Sequence, residues 1–329
     1  MPENIRLIDK ITEYLDTARG RNVSLKDMRE YCKVEPGSKD DLNIRKQMSG
    51  RLTQDKIVKP SGRNDGIYKV IIRAKPVQVF GRGRRHPVEL IFPRDFNTMI
   101  EMAFAKDVVL REGDLILISG QSNYGKTLFC LNFCGENIDA NPVLLGNEYT
   151  TVDDEPSSRF LNRLDKMDWV IWDNGTGDKF TLLPVREDYA EHIVKDKLNI
   201  IDWINLDEHY MISRVMEGIK KELGKGIAII AIQKAAGSES GRGGQFTKDF
   251  ADLEILLDKY GEDEVLLTLG KVKEANRRLT GKTYVFGIKE GVKIISFREV
   301  KKCPNCFGKG WRMGHPCDEC NQRGYVNSI

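Results

Sequence analysis

The sequence predicts an α/β fold on a mostly parallel sheet, with a small helical domain before it and a cysteine-rich segment after it. Three observations carry that expectation. Gly120-x4-Gly125-Lys126-Thr127, a phosphate-binding P-loop pattern, stands between the apolar run Leu115–Ile118 and a helical stretch from Thr127. Apolar strands and helical segments then alternate along the chain. Two CxxC pairs crowd the last 30 residues.

The 329 residues leave room for more than one domain and a sizeable core. No apolar run approaches the length of a membrane span, and Met1–Gly20 lacks signal-peptide character, so a cytoplasmic protein without a membrane partner is expected. Of seven cysteines, Cys32, Cys130 and Cys134 are scattered and four are clustered, which suits a reduced compartment with one metal site better than a disulfide framework. Residues 1–87 hold 20 Lys/Arg against 11 Asp/Glu, while the whole chain carries only +3. A basic end on a neutral or acidic body suggests a polyanionic partner.

In the first 75 residues, Ile5, Ile8, Ile11 and Leu15 recur at helical spacing, giving a helix over 4–18. Ser24, with Asp27 three residues on, caps a second helix running to about Lys33. Ser38 opens a third, with Asp40 and Asp41 where acids favour the dipole. Its inner face is Ile44, Met48 and Leu52; Asn43, Lys46, Ser49 and Gly50 look outward between Arg45 and Arg51. A hairpin follows, Ile57–Val58 and Ile67–Ile72 around a turn carrying Arg63. Three helices and a hairpin with a basic tip resemble a winged helix-turn-helix domain (residues 1–75). The resemblance implies a duplex DNA partner, with Arg45, Lys46 and Ser49 at bases or phosphates and Arg51 and Arg63 at phosphates. A winged helix that docks protein instead is the open alternative. Residues 76–98, with Pro76, Gly81, Gly83, Pro87 and Pro93 around Arg82, Arg84, Arg85 and His86, read as a basic linker.

Residues 99–299 hold the alternating pattern. In the P-loop, Gly120, Gln121, Ser122, Asn123, Tyr124 and Gly125 let backbone N–H groups curl round phosphate, Lys126 adds a point charge and the Thr127 hydroxyl is placed to hold Mg2+. Further strands are expected at 142–148, ending in Glu148; at Trp169–Trp172, followed by Asp173; at Asn199–Asn205; and at Gly226–Gln233. Helices are expected at Ser157–Leu164 and Ile212–Leu223. More strands, Val265–Lys273, Tyr284–Ile288 and Val292–Phe297, complete the domain. Catalytic groups belong at the carboxyl ends of such strands.

The stretches GDLILISGQSNYGKT, VLLGNE, NIIDWIN and IAIIAIQK resemble the RecA-like P-loop ATPases, specifically the motor of DnaB-type helicases and their recombinase relatives. The resemblance implies ATP as ligand, with Asp202 as the Walker B acid of the Mg2+ shell, Glu148 as general base and Gln233 as γ-phosphate sensor. A competing AAA+ frame would place the base at Glu208; the strand ending in Gln233 and the strands after it favour Glu148. Lys234–Thr247, Gly/Ser-rich with Lys234 and Arg242, falls where that group places a DNA-binding loop and implies single-strand contact. Asn205–Met211 would be the first such loop, though Asp207 and Glu208 suit it poorly to a strand. Lys273 and Arg277, with Lys271 and Arg278 behind them, occupy the position of a cationic finger serving a neighbouring subunit, which implies a homo-oligomer. The activity implied is that of an ATP-hydrolysing, DNA-binding motor, helicase- or recombinase-like, in replication or recombination. The alternative is an ATP-switched DNA-binding regulator or loader with slow turnover.

In residues 300–329, Cys303/Cys306 and Cys317/Cys320 frame a tail in which paired thiols suit a tetrahedral Zn2+. CPNCFGKG and CDECNQRG are similar to the zinc repeats of DnaJ, with Gln322 where a glycine would fall and two repeats in place of four, implying a single zinc knuckle. Whether it grips DNA or a partner stays open.

Overall fold

A computed structural model describes residues 6–62, 66–72, 80, 85–204, 212–234 and 245–328, the side chains of 245–247 excepted. The chain divides into two compact units, Met1–Gly83 and Arg84–Ile329. No helix of the described residues is long and apolar enough to cross a membrane.

In the first unit, α1 (Leu7–Thr17) buries Ile11 and Leu15, the residues its helical spacing puts on one face. β1 (Asn22–Ser24) leads into α2 (Leu25–Cys32) through a reciprocal cap: Asp27 N–H donates to Ser24 Oγ, and Ser24 N–H to Asp27 Oδ2. Ser38 likewise caps α3 (Lys39–Lys46), which runs through a π-helical turn, Gln47–Arg51, into α4 (Leu52–Gln54). Ile44, Met48 and Leu52 line its buried side. β2 (Val58–Pro60) and β3 (Ile67–Val70) form the hairpin, and β1 adds to it in the order β1-β3-β2.

The second unit opens with a small hairpin, β4 (Arg94–Asp95) and β5 (Ile100–Glu101), and then builds a ten-stranded sheet. β6 (Leu115–Gly120) is buried along its whole length, as a strand covered on both faces must be. The next elements are α5 (Lys126–Glu136), β7 (Val143–Leu145), α6 (Ser158–Lys166) and β8 (Thr181–Leu183). After them come β9 (Leu198–Ile201), α7 (Ile212–Glu222), β10 (Ile227–Gln233) and α8 (Gln245–Phe250). Then β11 (Leu253–Tyr260), β12 (Glu264–Val272), β13 (Thr283–Lys289) and β14 (Lys293–Lys302) follow in succession. A ribbon, β15 (Trp311–Arg312) and β16 (His315–Pro316), precedes β17 (Tyr325–Asn327).

The order is β17-β14-β13-β12-β11-β6-β10-β9-β7-β8, parallel from β11 to β8 and antiparallel from β11 to β17. This is the α/β class expected, with the P-loop between β6 and α5. Strand alternation assigns the two faces. Ile116 and Ile118 pack with α5, while Leu115 and Leu117 pack with Met216 and Ile219 of α7.

Two expectations need correction, and one strand was missed. Trp169–Trp172 forms no strand, and the edge strand beside β7 is β8. The run is apolar because it packs on helices: Val170 lies against Gly135 of α5, and Trp172 Nε1–H donates to Leu164 O of α6. The stretch expected as linker joins the second unit's core by residue 92. Val88 N–H donates to Leu110 O, Phe92 is 2% exposed beside Phe104 and Phe133, and Arg94 pairs with Glu136. β11, beside the P-loop strand, was not anticipated.

β11 also carries a buried acid. Glu254 is fully buried, and neither carboxylate oxygen has a hydrogen-bond partner among the described residues. A Cβ on Gly270 would lie 2.4 Å from Glu254 Oε2, so glycine there makes the room. Burial raises its pKa, with Lys248, Lys271 and Lys234 pulling it partly back. A raised folded pKa means the stability held by the neutral acid is complete below the unfolded value, about 4.3, and is lost as pH rises through the folded one. Denaturant unfolding should therefore show wild type losing stability relative to Glu254→Gln as pH climbs from that value. A difference constant with pH would contradict it.

Candidate functional site

Parallel pairing brings the carboxyl ends of β6, β7, β9 and β10 to one rim. Gln233 is paired with Gly120, and Leu145 with Ile201. Beyond β6 the loop turns through left-handed Asn123 (φ 69°) and Gly125 (φ 89°) into α5, a conformation these two residue types accept most readily. Gln121 and Tyr124 are half-buried, and Ser122 and Asn123 exposed, at the tip of this loop. Lys126 Nζ donates to Gln121 O at 2.9 Å, folding the ammonium back over the loop. Burial lowers its pKa, while Asp202 and Glu148 oppose the shift.

Asp202 follows β9 and is fully buried. Tyr149 O–H donates to its Oδ2 at 2.5 Å. Its Oδ1 is buried without a hydrogen-bond partner among the described residues. Burial raises this carboxyl's pKa, with the Tyr149 and Thr127 hydroxyls pulling it down. The Asp202–Trp203 peptide is cis. An orphaned carboxylate oxygen near the Thr127 hydroxyl is a donor pair of the hard-oxygen kind that suits Mg2+, so the residues fit that ion. Gly146, past β7, lets the strand ends close up: a Cβ there would stand 2.1 Å from Asp202 O.

Glu148 is exposed at the rim, and Trp203 Nε1–H donates to its Oε1 at 2.8 Å. Gln233 Nε2–H donates to Ser122 Oγ at 3.1 Å, linking the end of β10 to the P-loop. Ser122, Asn123, Gly125, Lys126, Thr127, Glu148, Asp202 and Gln233 all line one cavity of about 410 Å³. Six further lining residues escaped the sequence reading: Leu128, Trp203, Ile288, Gly291, and Arg159 and Arg163 of α6. The arginines had a visible signal, since four-residue spacing on a helix puts both on one side.

The chain is similar in structure to a KaiC-like protein from the hyperthermophilic archaeon Pyrococcus horikoshii. TM-score is 0.44 and identity 19%, over 64% of this chain and 99% of that one. No family model and no curated protein matches the sequence.

The finger candidates lie away from this cavity's lining and are tied within their own chain. Lys273 Nζ meets Asp252 Oδ1 at 2.6 Å, and Arg277 Nε meets Asp107 Oδ2 at 2.6 Å. Lys271 Nζ donates to Lys248 O and Asp249 O; Arg278 is exposed. Lys234, expected at a nucleic acid, is instead 4% exposed, with its ammonium 2.6 Å from both Asp258 oxygens. A cation that has shed its water must keep its counter-ion, which turns Lys234 inward. Arg63, Arg242 and the Asp207–Glu208 pair lie outside the described residues.

In the first unit Lys46 and Ser49 are exposed, and Ser49 O–H donates to Arg45 O. Arg45 reaches Asp41 at 3.5 Å, and exposed Arg51 reaches Asp55 at 3.6 Å. Arg45 and Ser49 border a groove with Lys26 and Arg29 of α2 and Gly66–Tyr68 of the hairpin.

Cys303, Cys306, Cys317 and Cys320 are buried, with sulfurs within 4.8 Å of one another. Cys303–Cys317 is 3.8 Å and Cys306–Cys320 3.6 Å. A tetrahedron of sulfurs about 2.3 Å from Zn2+ has edges close to these distances, whereas a disulfide needs about 2.05 Å. Gly310 N–H donates to Cys306 Sγ at 3.2 Å and Gly324 N–H to Cys320 Sγ at 3.3 Å, as thiolate ligands require. The donor set fits Zn2+.

Metal analysis of purified protein should give one zinc per chain, and Cys317→Ala should lose most of it together with a lower Tm; a zinc-free, equally stable wild type would refute the ligand set. Gly146→Ala should cost at least about 2 kcal/mol in denaturant unfolding, because backbone must move to admit the methyl group. A neutral result would mean that the strand ends are not so close.

Proposed function

We propose that the chain is an ATP-hydrolysing, DNA-binding motor of the RecA/DnaB group, acting in replication or recombination. The observation that carries this reading is the convergence of Lys126, Thr127, Asp202, Glu148 and Gln233 on one cavity. The P-loop amides and Lys126 hold the triphosphate, aided by the N-terminal field of α5. Mg2+, when bound beside Thr127 and Asp202, neutralises charge on the phosphate oxygens. Glu148 accepts a proton from the attacking water, and the Trp203 indole fixes the carboxylate for that task. Gln233, hydrogen-bonded to Ser122, is placed to register the terminal phosphate and pass its state to the segment after β10. The first unit, read as a winged helix, offers duplex DNA the Arg45, Lys46, Ser49 and Arg51 surface. Single-strand contact falls to the segment after Lys234.

One observation favours the alternative of an ATP-switched regulator or loader. Lys273 and Arg277 are held by Asp252 and Asp107 of their own chain, so a finger for a neighbour in a homo-oligomer requires two ion pairs to open. On this reading turnover in the cytoplasm is slow, and ATP binding sets assembly on DNA.

Steady-state and binding assays separate the roles. Glu148→Gln should lose about 10²–10⁴-fold in hydrolysis while still binding nucleotide. Lys126→Ala should lose both, and full activity in either variant would remove the catalytic assignment. Hydrolysis stimulated by DNA favours the motor; hydrolysis indifferent to single- and double-stranded DNA at low salt favours the regulator.

A further inference from the structure

The four-cysteine cluster is built from two CxxC turns, the first and the second knuckle, and their differences are informative. In the second, the residue after the last cysteine is Asn321 with φ 47°; in the first it is Phe307 with φ 54°. Asparagine accepts a left-handed backbone and phenylalanine resists it. Phe307 gains nothing by burial in return, for it is 77% exposed. The ribbon that follows continues the pattern. Trp311 is 51% exposed on β15, and Met313, at the turn into β16 with φ 50°, is 88% exposed. A strained, solvated aromatic points to function.

The charge around these side chains selects the ligand. Residues 300–329 hold five Lys/Arg and two Asp/Glu. Lys301, Lys302, Lys309 and Arg312 are exposed, and none has an ion-pair partner among the described residues. Arg312 Nη1–H donates to Asn305 Oδ1, which leaves its charge uncompensated. Aromatic faces interleaved with free cations are what an unpaired strand meets in proteins that bind it without sequence preference: bases stack on the rings and cations follow the backbone.

We propose that the first knuckle and its ribbon form a single-stranded nucleic-acid platform, with Phe307 and Trp311 stacking bases and Lys302, Lys309 and Arg312 at phosphates. The site extends the DNA-binding reading above without depending on ATP hydrolysis.

The test uses the full-length, zinc-loaded protein and a fluorescein-labelled oligothymidylate at low salt. Phe307→Asn, which copies the second knuckle, should keep or raise Tm yet weaken binding about tenfold, and Trp311→Ala should do likewise. The oligonucleotide should quench tryptophan emission in wild type and in Lys126→Ala, and the quenching should be largely lost in Trp311→Phe, which removes the reporter. Duplex affinity should be unchanged in all the knuckle variants, so failure here is distinct from failure of the motor reading. Unaltered oligothymidylate affinity in Phe307→Asn and Trp311→Ala would overturn the proposal. So would a lower Tm in Phe307→Asn, or variants that lose affinity only for a reduced, unfolded polypeptide.

Discussion

The burial of the Asp202 carboxylate is the constraint on which the second unit turns. A charge taken out of water costs several kcal/mol unless partners replace the solvent, and this one has a single described hydrogen bond, from Tyr149. The surroundings are shaped to that one group. Gly146 admits the neighbouring strand end, Tyr149 comes from just past Glu148, and the P-loop helix starts with Lys126 within electrostatic reach. Its second oxygen is left open, which agrees with the Mg2+ fit of the donor set.

The sheet explains why those groups meet. β6 lies between β10 and β11, and β9 and β7 follow beyond β10, so four strand ends open onto one rim while α5 and α7 seal opposite faces. Lysine, glutamate, aspartate and glutamine come from positions 126, 148, 202 and 233, far apart in sequence and brought together by parallel pairing. Neighbouring side chains hold the groups proposed for catalysis: Trp203 donates to Glu148, Tyr149 donates to Asp202, and Gln233 donates to Ser122.

The antiparallel half has a different task. β12, β13 and β14 extend the sheet away from the cavity, and β17 adds the tail's last strand to β14. The four-cysteine cluster is thereby anchored at both ends of one scaffold, by β14 before Cys303 and β17 after Cys320. Arg323 joins it to the sheet again, over Tyr260 and beside Glu264. A ribbon so fixed can expose Phe307 and Trp311 without collapsing on them.

Local rules decided what the sequence could disclose. The caps at Ser24 and Ser38, the P-loop between strand and helix, the apolar run of β10 and the paired cysteines each follow from neighbours within a few residues, and each is found where the pattern puts it. Contacts between distant segments were beyond it. Trp169–Trp172 has a strand's composition, yet Gly135 and Leu164 give it a helix surface to cover instead. Lys234 has the look of a free loop cation until Asp258 on β11 captures it, and Lys273 and Arg277 likewise meet Asp252 and Asp107 only in three dimensions. Backbone preference and hydrophobic period act over one turn or one strand and are written in the chain. Charge pairing and burial depend on which segments become neighbours, and only the folded sheet settles that.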